Sequence, residues 1–157
     1  INRISSSVAT LLFFLYSLLN GVTMAFIFSV YTGESIAYTF MITAGTFGAM
    51  SLFGYVTKQD LTKFGSIALM ALIGVIIASV VNIFLKSSTL YWIITIVGVL
   101  VFVGLVAYDT QKLKQLSRAG YDSETQRKLS VIGALTLYLD FINLFLFFLN
   151  IFGGRRN

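Results

Sequence analysis

The sequence predicts an all-α protein, a bundle of helices that crosses a membrane several times. Hydrophobic residues make up 57% of the 157 residues and charged residues only 11%, whereas soluble domains carry roughly 25% charged residues. The apolar residues form five runs, each close to the ~20 residues that a helix needs to cross a bilayer. The chain contains no proline that would kink these helices. We therefore expect one polytopic transmembrane domain over residues 1–157, embedded in the lipid bilayer.

The five predicted helices follow one another along the chain, and the longest polar stretch separates the last two. The connections at 31–35 and 86–89 are short, whereas those at 57–63 and 109–130 are longer and polar. Because the chain begins with Ile1 rather than methionine, we expect it to be the C-terminal part of a longer protein. The predicted helices lie near residues 8–30, 36–56, 64–85, 90–108 and 131–152.

Lysine and arginine residues lie mainly on one side of the predicted membrane domain, and this bias predicts its orientation. We expect the N-terminal side and the 109–130 segment in the cytoplasm, and the C-terminus outside unless the last helix re-enters the membrane. Because the basic residues lie between apolar runs, the net charge of +5 does not indicate nucleic-acid binding. On the cytoplasmic side are Arg3, Lys58, Lys63, Lys112, Lys114, Arg118, Arg127 and Lys128, and on the other Lys86, Arg155 and Arg156.

The sequence lacks the residues that several kinds of chemistry require. There is no cysteine, which excludes a disulfide framework and thiolate metal sites. There is no histidine, which removes the commonest metal ligand and the usual switch at neutral pH. No phosphate-binding loop, catalytic triad or dinucleotide fingerprint is present. We therefore expect no enzyme and no tightly bound cofactor, and any response to pH must come from carboxyl groups.

Two aspartates interrupt the apolar runs in the second half of the chain. Asp109 lies at the predicted end of the fourth helix, and Asp140 is the only charged residue between Lys128 and Arg155. An ionised carboxylate at the centre of a membrane helix costs ~3 kcal/mol or more unless it is paired. Each aspartate is a candidate partner for the other, although a rise of ~1.5 Å per residue leaves them up to ~10 Å apart in depth.

Asp140 belongs to a stripe of mostly polar or small residues on the last helix. Spacings of three and four residues place the stripe on one face, which in a membrane must face protein or water. We therefore predict that the last helix is central. The alternative is that Asp140 belongs to a hydrogen-bonded structural network without a transport role. The stripe comprises Gly133, Thr136, Asp140, Asn143, Phe147 and Asn150.

A pair formed by Asp109 and Asp140 has the properties of a pH sensor. Two carboxylates in contact in a low dielectric cannot easily both ionise, so the pair tends to share one proton. Loss of that proton adds charge and makes the site attractive to a cation. Calcium prefers about six to eight oxygen ligands, so only weak calcium binding is expected, with Asn143 as a supporting ligand. Lys112, three residues further along the chain, is the second supporting residue, and for Asp109 the alternative is an ordinary interfacial ion pair with this lysine.

Small residues four positions apart mark the remaining helices. In membranes such pairs allow two helix backbones to approach closely. We therefore predict that these residues lie at helix–helix contacts, and that a large side chain at Gly74 disrupts packing. The pairs are Ala44 with Gly48, Gly45 with Ala49, and Gly74 with Ala78.

Several short stretches together resemble the Bax inhibitor-1 (TMBIM) family in its bacterial branch. The most specific are residues 107–111, which contain Asp109, and residues 137–144, which contain Asp140. Further resembling stretches precede them, so the similarity extends over nearly the whole chain. They are Asn20 and Gly21, residues 31–33, residues 43–48 and residues 71–74.

This resemblance implies a fold and a function. The fold has seven helices, the last surrounded by the other six, and the five helices here correspond to the third to the seventh. The implied function is a pH-sensitive calcium leak in the bacterial inner membrane, with Asp109 and Asp140 as a di-aspartyl sensor. The alternative function is that of a membrane-embedded interaction protein, because the bacterial branch also resembles a protein that regulates a membrane-anchored ATP-dependent protease.

Overall fold

The computed structural model describes residues 5–154, which form five α-helices. Each helix is long and apolar enough to cross a membrane, and the predicted all-α membrane bundle is confirmed. Arg3, Arg155 and Arg156, which contributed to the predicted orientation, lie outside the described residues. The helices are α1 (Ser6–Val30), α2 (Gly33–Val56), α3 (Thr62–Leu85), α4 (Ser88–Ser117) and α5 (Ser123–Phe152).

Hydroxyl side chains fix where several of these helices begin. The Ser5 hydroxyl oxygen accepts a hydrogen bond from the Val8 N–H (3.2 Å), and the Thr32 hydroxyl oxygen accepts one from the Ser35 N–H (3.1 Å). The Ser87 hydroxyl oxygen likewise accepts from the Leu90 N–H (3.2 Å). These side chains replace backbone partners that the first turn of a helix lacks. They set the first residues of α1, α2 and α4.

The predicted end of the fourth helix and the predicted loop at 109–130 are wrong. Helix α4 continues to Ser117 and α5 begins at Ser123, so Asp109 lies inside a helix. The residues after Asp109 include glutamine, lysine and leucine, which favour helix, and Leu113 packs against Gly133 of α5. Gly120, with a φ of 77°, supplies the left-handed residue in the short turn that reverses the chain.

Helices α1 and α5 run parallel and are joined at both ends. At the first end, called the Ser6 end, the Ser6 N–H donates to Glu124 Oε1 (2.8 Å). At the opposite end, called the Gly154 end, the Thr32 N–H donates to the Gly154 carbonyl oxygen (2.9 Å). Helix α5 therefore extends from one end of the bundle to the other, and the structure does not show the re-entrant form.

The centre of the bundle is shared by α4 and α5. Helix α4 packs against α2, α3 and α5, and α5 packs against α1, α2 and α4. The last helix is central, as predicted, but it shares this position with α4. Helix α4 is its antiparallel neighbour and has more buried residues than α5. The largest core cluster contains Ala68, Val101, Phe102, Leu105, Leu144 and Phe148.

The small-residue pairs singled out from the sequence do not mark the helix contacts in this structure. A Cβ atom built at Gly45, Gly48 or Gly74 meets nothing within 4 Å. Close contacts occur instead at other glycines, such as Gly54, where a Cβ would overlap the backbone of Ala107. The prediction was wrong because lipid and neighbouring helices are equally apolar, so spacing alone does not reveal which face meets protein.

Candidate functional site

A cavity of about 560 Å³ lies between α3, α4 and α5. Helix α3 supplies a largely apolar wall that extends from Leu69 to Ile83. Four residues of the predicted stripe on α5 line the cavity, so this face does point toward the interior of the bundle. The polar residues that line the cavity are Ser79, Asp109, Thr136, Asp140 and Asn143.

Asp140 is the most buried charged residue at this cavity, and its carboxyl group is adjacent to that of Asp109. Only 4% of Asp140 is exposed, and the side chains of the two aspartates interact directly. Among the described residues, no conventional donor reaches Asp140 Oδ2, which is buried. Ionised carboxylates only accept hydrogen bonds. A hydrogen bond between these two groups therefore requires one proton on the pair.

The register of α4 against α5 explains how the two aspartates meet. The helices are antiparallel, with Gly98 against Phe147 and Leu113 against Gly133. In this register the backbone of Asp109 lies about one helical turn, ~5.4 Å, from the level of Asp140. This offset is smaller than the difference in depth of up to ~10 Å that the sequence suggested for the two aspartates. Two aspartate side chains can span it.

The other polar groups of the cavity offer oxygen atoms. Asn143 Nδ2 donates to the Leu139 carbonyl oxygen (2.8 Å), and the Thr136 hydroxyl donates to the Ile132 carbonyl oxygen (2.9 Å). The Thr136 hydroxyl proton and one of the two Asn143 amide N–H groups are used within α5, so the remaining polar capacity is the oxygen atom of each side chain and one Asn143 N–H. Between residues 5 and 154, no group of three His, Cys, Asp or Glu side chains could hold a metal ion.

The structure does not place Lys112 at the cavity. Its side chain is exposed and is absent from the cavity lining. Asn143, the other supporting residue that the sequence indicated, lies within one turn of Asp140 on the same face. The cavity therefore brings together Asp109, Asp140 and Asn143, and leaves Lys112 on the surface of α4.

Gln111 was missed in the sequence because the stretch after Asp109 was interpreted as a loop. Its side chain is buried, with 8% exposed. Gln111 Nε2 donates to the Gln59 carbonyl oxygen (2.7 Å), and Gln111 Oε1 accepts from the Leu61 N–H (2.9 Å). The sequence could have revealed Gln111 if the fourth helix had been extended past Asp109. A glutamine two residues after Asp109 then lies on the opposite face of the helix.

The whole chain, residues 1–157, matches a protein family described as "Inhibitor of apoptosis-promoting Bax1". Inner membrane protein YbhL of Escherichia coli (strain K12) is 59% identical over 158 residues, which cover 99% of this chain and 68% of that protein. An uncharacterized protein of Borreliella burgdorferi is 52% identical over 158 residues, which cover 100% of this chain and 68% of that protein. An uncharacterized membrane protein of Streptococcus pyogenes serotype M6 is 39% identical, with 96% and 66% covered.

Proposed function

The chain belongs to the Bax inhibitor-1 family and is an integral membrane protein, and from this membership we propose that it forms a pH-sensitive calcium leak. The observation that carries the proposal is the buried Asp140 Oδ2, which lacks a conventional donor and lies beside the carboxyl group of Asp109. A buried polar atom without a partner is costly. A shared proton supplies the missing hydrogen bond, so the state of the pair depends on pH.

The proposed response follows from the charge of the pair. With one proton shared, the two carboxyl groups are hydrogen-bonded and hold α4 against α5. When that proton is lost, two negative charges face each other in a low dielectric, where repulsion is much stronger than in water. Repulsion favours separation of the two helices, and the second charge attracts a cation into the cavity. Calcium leak is therefore expected to rise as pH rises through the deprotonation of the pair.

Calcium is proposed as a weakly held ion in transit. Hard divalent cations prefer oxygen ligands, and calcium takes about six to eight of them. The cavity offers the carboxylate oxygens of Asp109 and Asp140 and the amide oxygen of Asn143, so water must complete the coordination. Such an incomplete set of protein ligands suits an ion that must also leave. The proposed activity needs no catalytic residue and no tightly bound cofactor.

Calcium entry into dye-loaded liposomes tests this proposal. The full-length protein is compared with Asp109→Asn, Asp140→Asn and the double variant between roughly pH 5 and 8, where proteins are generally most stable. Each single substitution removes the like-charge repulsion, so the pH dependence of calcium entry should flatten in both. The double variant should add little, because residues that act as a pair are not additive.

Glu34→Gln is the matched control, since it neutralises an exposed carboxylate in the first turn of α2. It should keep the original pH profile. If both aspartate variants also keep that profile, the two carboxyl groups have a structural role only. The other function implied by family resemblance, regulation of a membrane-anchored protease, is then tested by co-purification of such a protease from native membranes.

A further inference from the structure

The helical turn that carries Asp109 is fixed from behind by a buried glutamine. Gln111 uses both ends of its amide on the α2–α3 connection, residues 57–61. It donates to the Gln59 carbonyl oxygen and accepts from the Leu61 N–H. Leu61 is itself buried, with 8% exposed. Breaking this bridge would leave the N–H of the buried Leu61 without a partner, which makes the bridge costly to open without a replacement.

The α2–α3 connection is held in shape by hydrogen bonds of its own. Asp60 Oδ1 accepts hydrogen bonds from the Thr62 N–H (3.0 Å) and the Thr62 hydroxyl (2.6 Å). The Gln59 N–H donates to the Thr57 hydroxyl oxygen (3.3 Å). Because the connection holds its own shape, a side chain bonded to it is bonded to a defined position in the bundle.

A second attachment lies one turn further along α4. Lys114 Nζ donates to the Tyr55 carbonyl oxygen (2.6 Å) and lies 4.7 Å from the centre of the Tyr55 ring. Tyr55 lies one residue before the end of α2. A cation near the last carbonyl groups of a helix is favourable, so this contact should stabilise the end of α2. The C-terminal part of α4 is therefore bound to the end of α2 by Lys114 and to the α2–α3 connection by Gln111.

Asp109 and Gln111 occupy opposite sides of the same turn. Two residues correspond to a rotation of about 200° around a helix with 3.6 residues per turn. Asp109 lines the cavity toward α5, and Gln111 contacts the α2–α3 connection on the far side. Any rotation or outward shift that moves Asp109 away from Asp140 must therefore also strain or break the two hydrogen bonds of Gln111.

We propose that Gln111 is a positioning residue, which holds the Asp109 turn of α4 at the distance from α5 at which the two carboxyl groups meet. It also fixes the start of α3, which supplies the opposite wall of the cavity. The effect of Gln111 on calcium leak rests on the function proposed above. Its effect on the distance between α4 and α5 does not, and this difference allows the two proposals to be tested separately.

The test measures distances between spin labels on α4 and α5. The chain has no cysteine, so label sites are introduced in a cysteine-free background of the full-length protein. One pair, Lys112→Cys with Ala134→Cys, reports the separation near Gln111. A second pair, Ile93→Cys with Phe152→Cys, reports the separation at the Gly154 end. All four positions are exposed, and each pair is measured with and without Gln111→Met.

Gln111→Met keeps an unbranched side chain of similar length and removes both hydrogen bonds. We expect the distance near Gln111 to lengthen or its distribution to broaden, while the distance at the Gly154 end stays the same. Gln115→Met is the matched control, because Gln115 is an exposed glutamine one turn further along α4. It should change neither distance.

Gln111→Glu provides a second variant if Gln111→Met does not fold. It retains an acceptor for the Leu61 N–H and loses the donor to the Gln59 carbonyl oxygen, so it should shift the same distance by less. An unchanged distance near Gln111 in a folded variant, with only a lower unfolding temperature, overturns the positioning role. A changed distance with unchanged calcium entry supports the positioning role and contradicts the proposed dependence of calcium leak on the separation of α4 and α5.

Discussion

At the scale of single residues, a glycine at a helix contact differs in its physical role from a glycine that faces away from the bundle. Gly54 is buried where α2 crosses α4, and an added Cβ would overlap the carbonyl group and Cα of Ala107. Backbone atoms cannot move aside as a flexible side chain can. Gly74 on α3 has open space at the Cβ position. These two positions therefore make a matched pair for substitution.

Gly54→Ala should lower the free energy of unfolding in detergent by about 1–3 kcal/mol, the usual cost of overpacking. Gly74→Ala should leave it unchanged or raise it by up to about 1 kcal/mol, because alanine favours helix over glycine. Denaturant titration of both variants measures the difference. Equal losses in the two variants would show that Gly74 also lies at a contact.

At the scale of elements, the start of α3 depends on a carboxylate outside the helix. The Asp60 carboxylate accepts two hydrogen bonds from Thr62, and these bonds lower the pKa of Asp60 below its usual value of 3.8. A carboxylate whose pKa is lower in the folded state stabilises that state above the pKa of the unfolded chain. This contribution is lost as the pH falls through the lowered pKa.

We therefore expect the stability advantage of the original protein over Asp60→Asn to decrease as the medium becomes acidic. The asparagine amide oxygen remains an uncharged acceptor at every pH, so the variant should lack this part of the acid dependence. Thermal unfolding of both proteins in detergent, from neutral pH to below pH 3.8, measures the difference. A constant difference between the two curves would contradict the role assigned to the carboxylate.

At the scale of the whole molecule, the parallel course of α1 and α5 places Ser6 and Gly154 at opposite ends of the bundle. Ser6 contacts Glu124 at one end of the bundle, and Thr32 contacts Gly154 at the other. The lysines of the α2–α3 connection and of the last turns of α4 lie at the Ser6 end. The bias of basic residues in the sequence predicts that this end faces the cytoplasm.

Reporter fusions test this orientation in cells. A reporter inserted between α4 and α5, in residues 118–122, should be active in the cytoplasm, and one fused after Asn157 should be active outside. Cytoplasmic activity of both would contradict a membrane crossing by α5, which extends from one end of the bundle to the other. A complete reversal of the two signals would instead contradict the orientation derived from the basic residues.

The candidate site shows where sequence reasoning succeeds and where it stops. Asp109 and Asp140 stood out because a charge in an apolar run is costly whatever the fold. Gln111 did not stand out, because an uncharged amide after a helix is common in loops. Its partners, Gln59 and Leu61, lie about fifty residues earlier in the chain. Only the packing of α4 on the α2–α3 connection reveals that both ends of this amide are used.

The sequence by itself determined the number of helices, the membrane class and the two acidic candidates. The lipid environment imposes these features through length and composition, and each can be recognised within one segment. The tertiary structure alone decided which glycines meet a backbone, and that the two carboxyl groups lie side by side. These features depend on register and on helix faces, and hydrocarbon and neighbouring helices favour the same apolar side chains on every face.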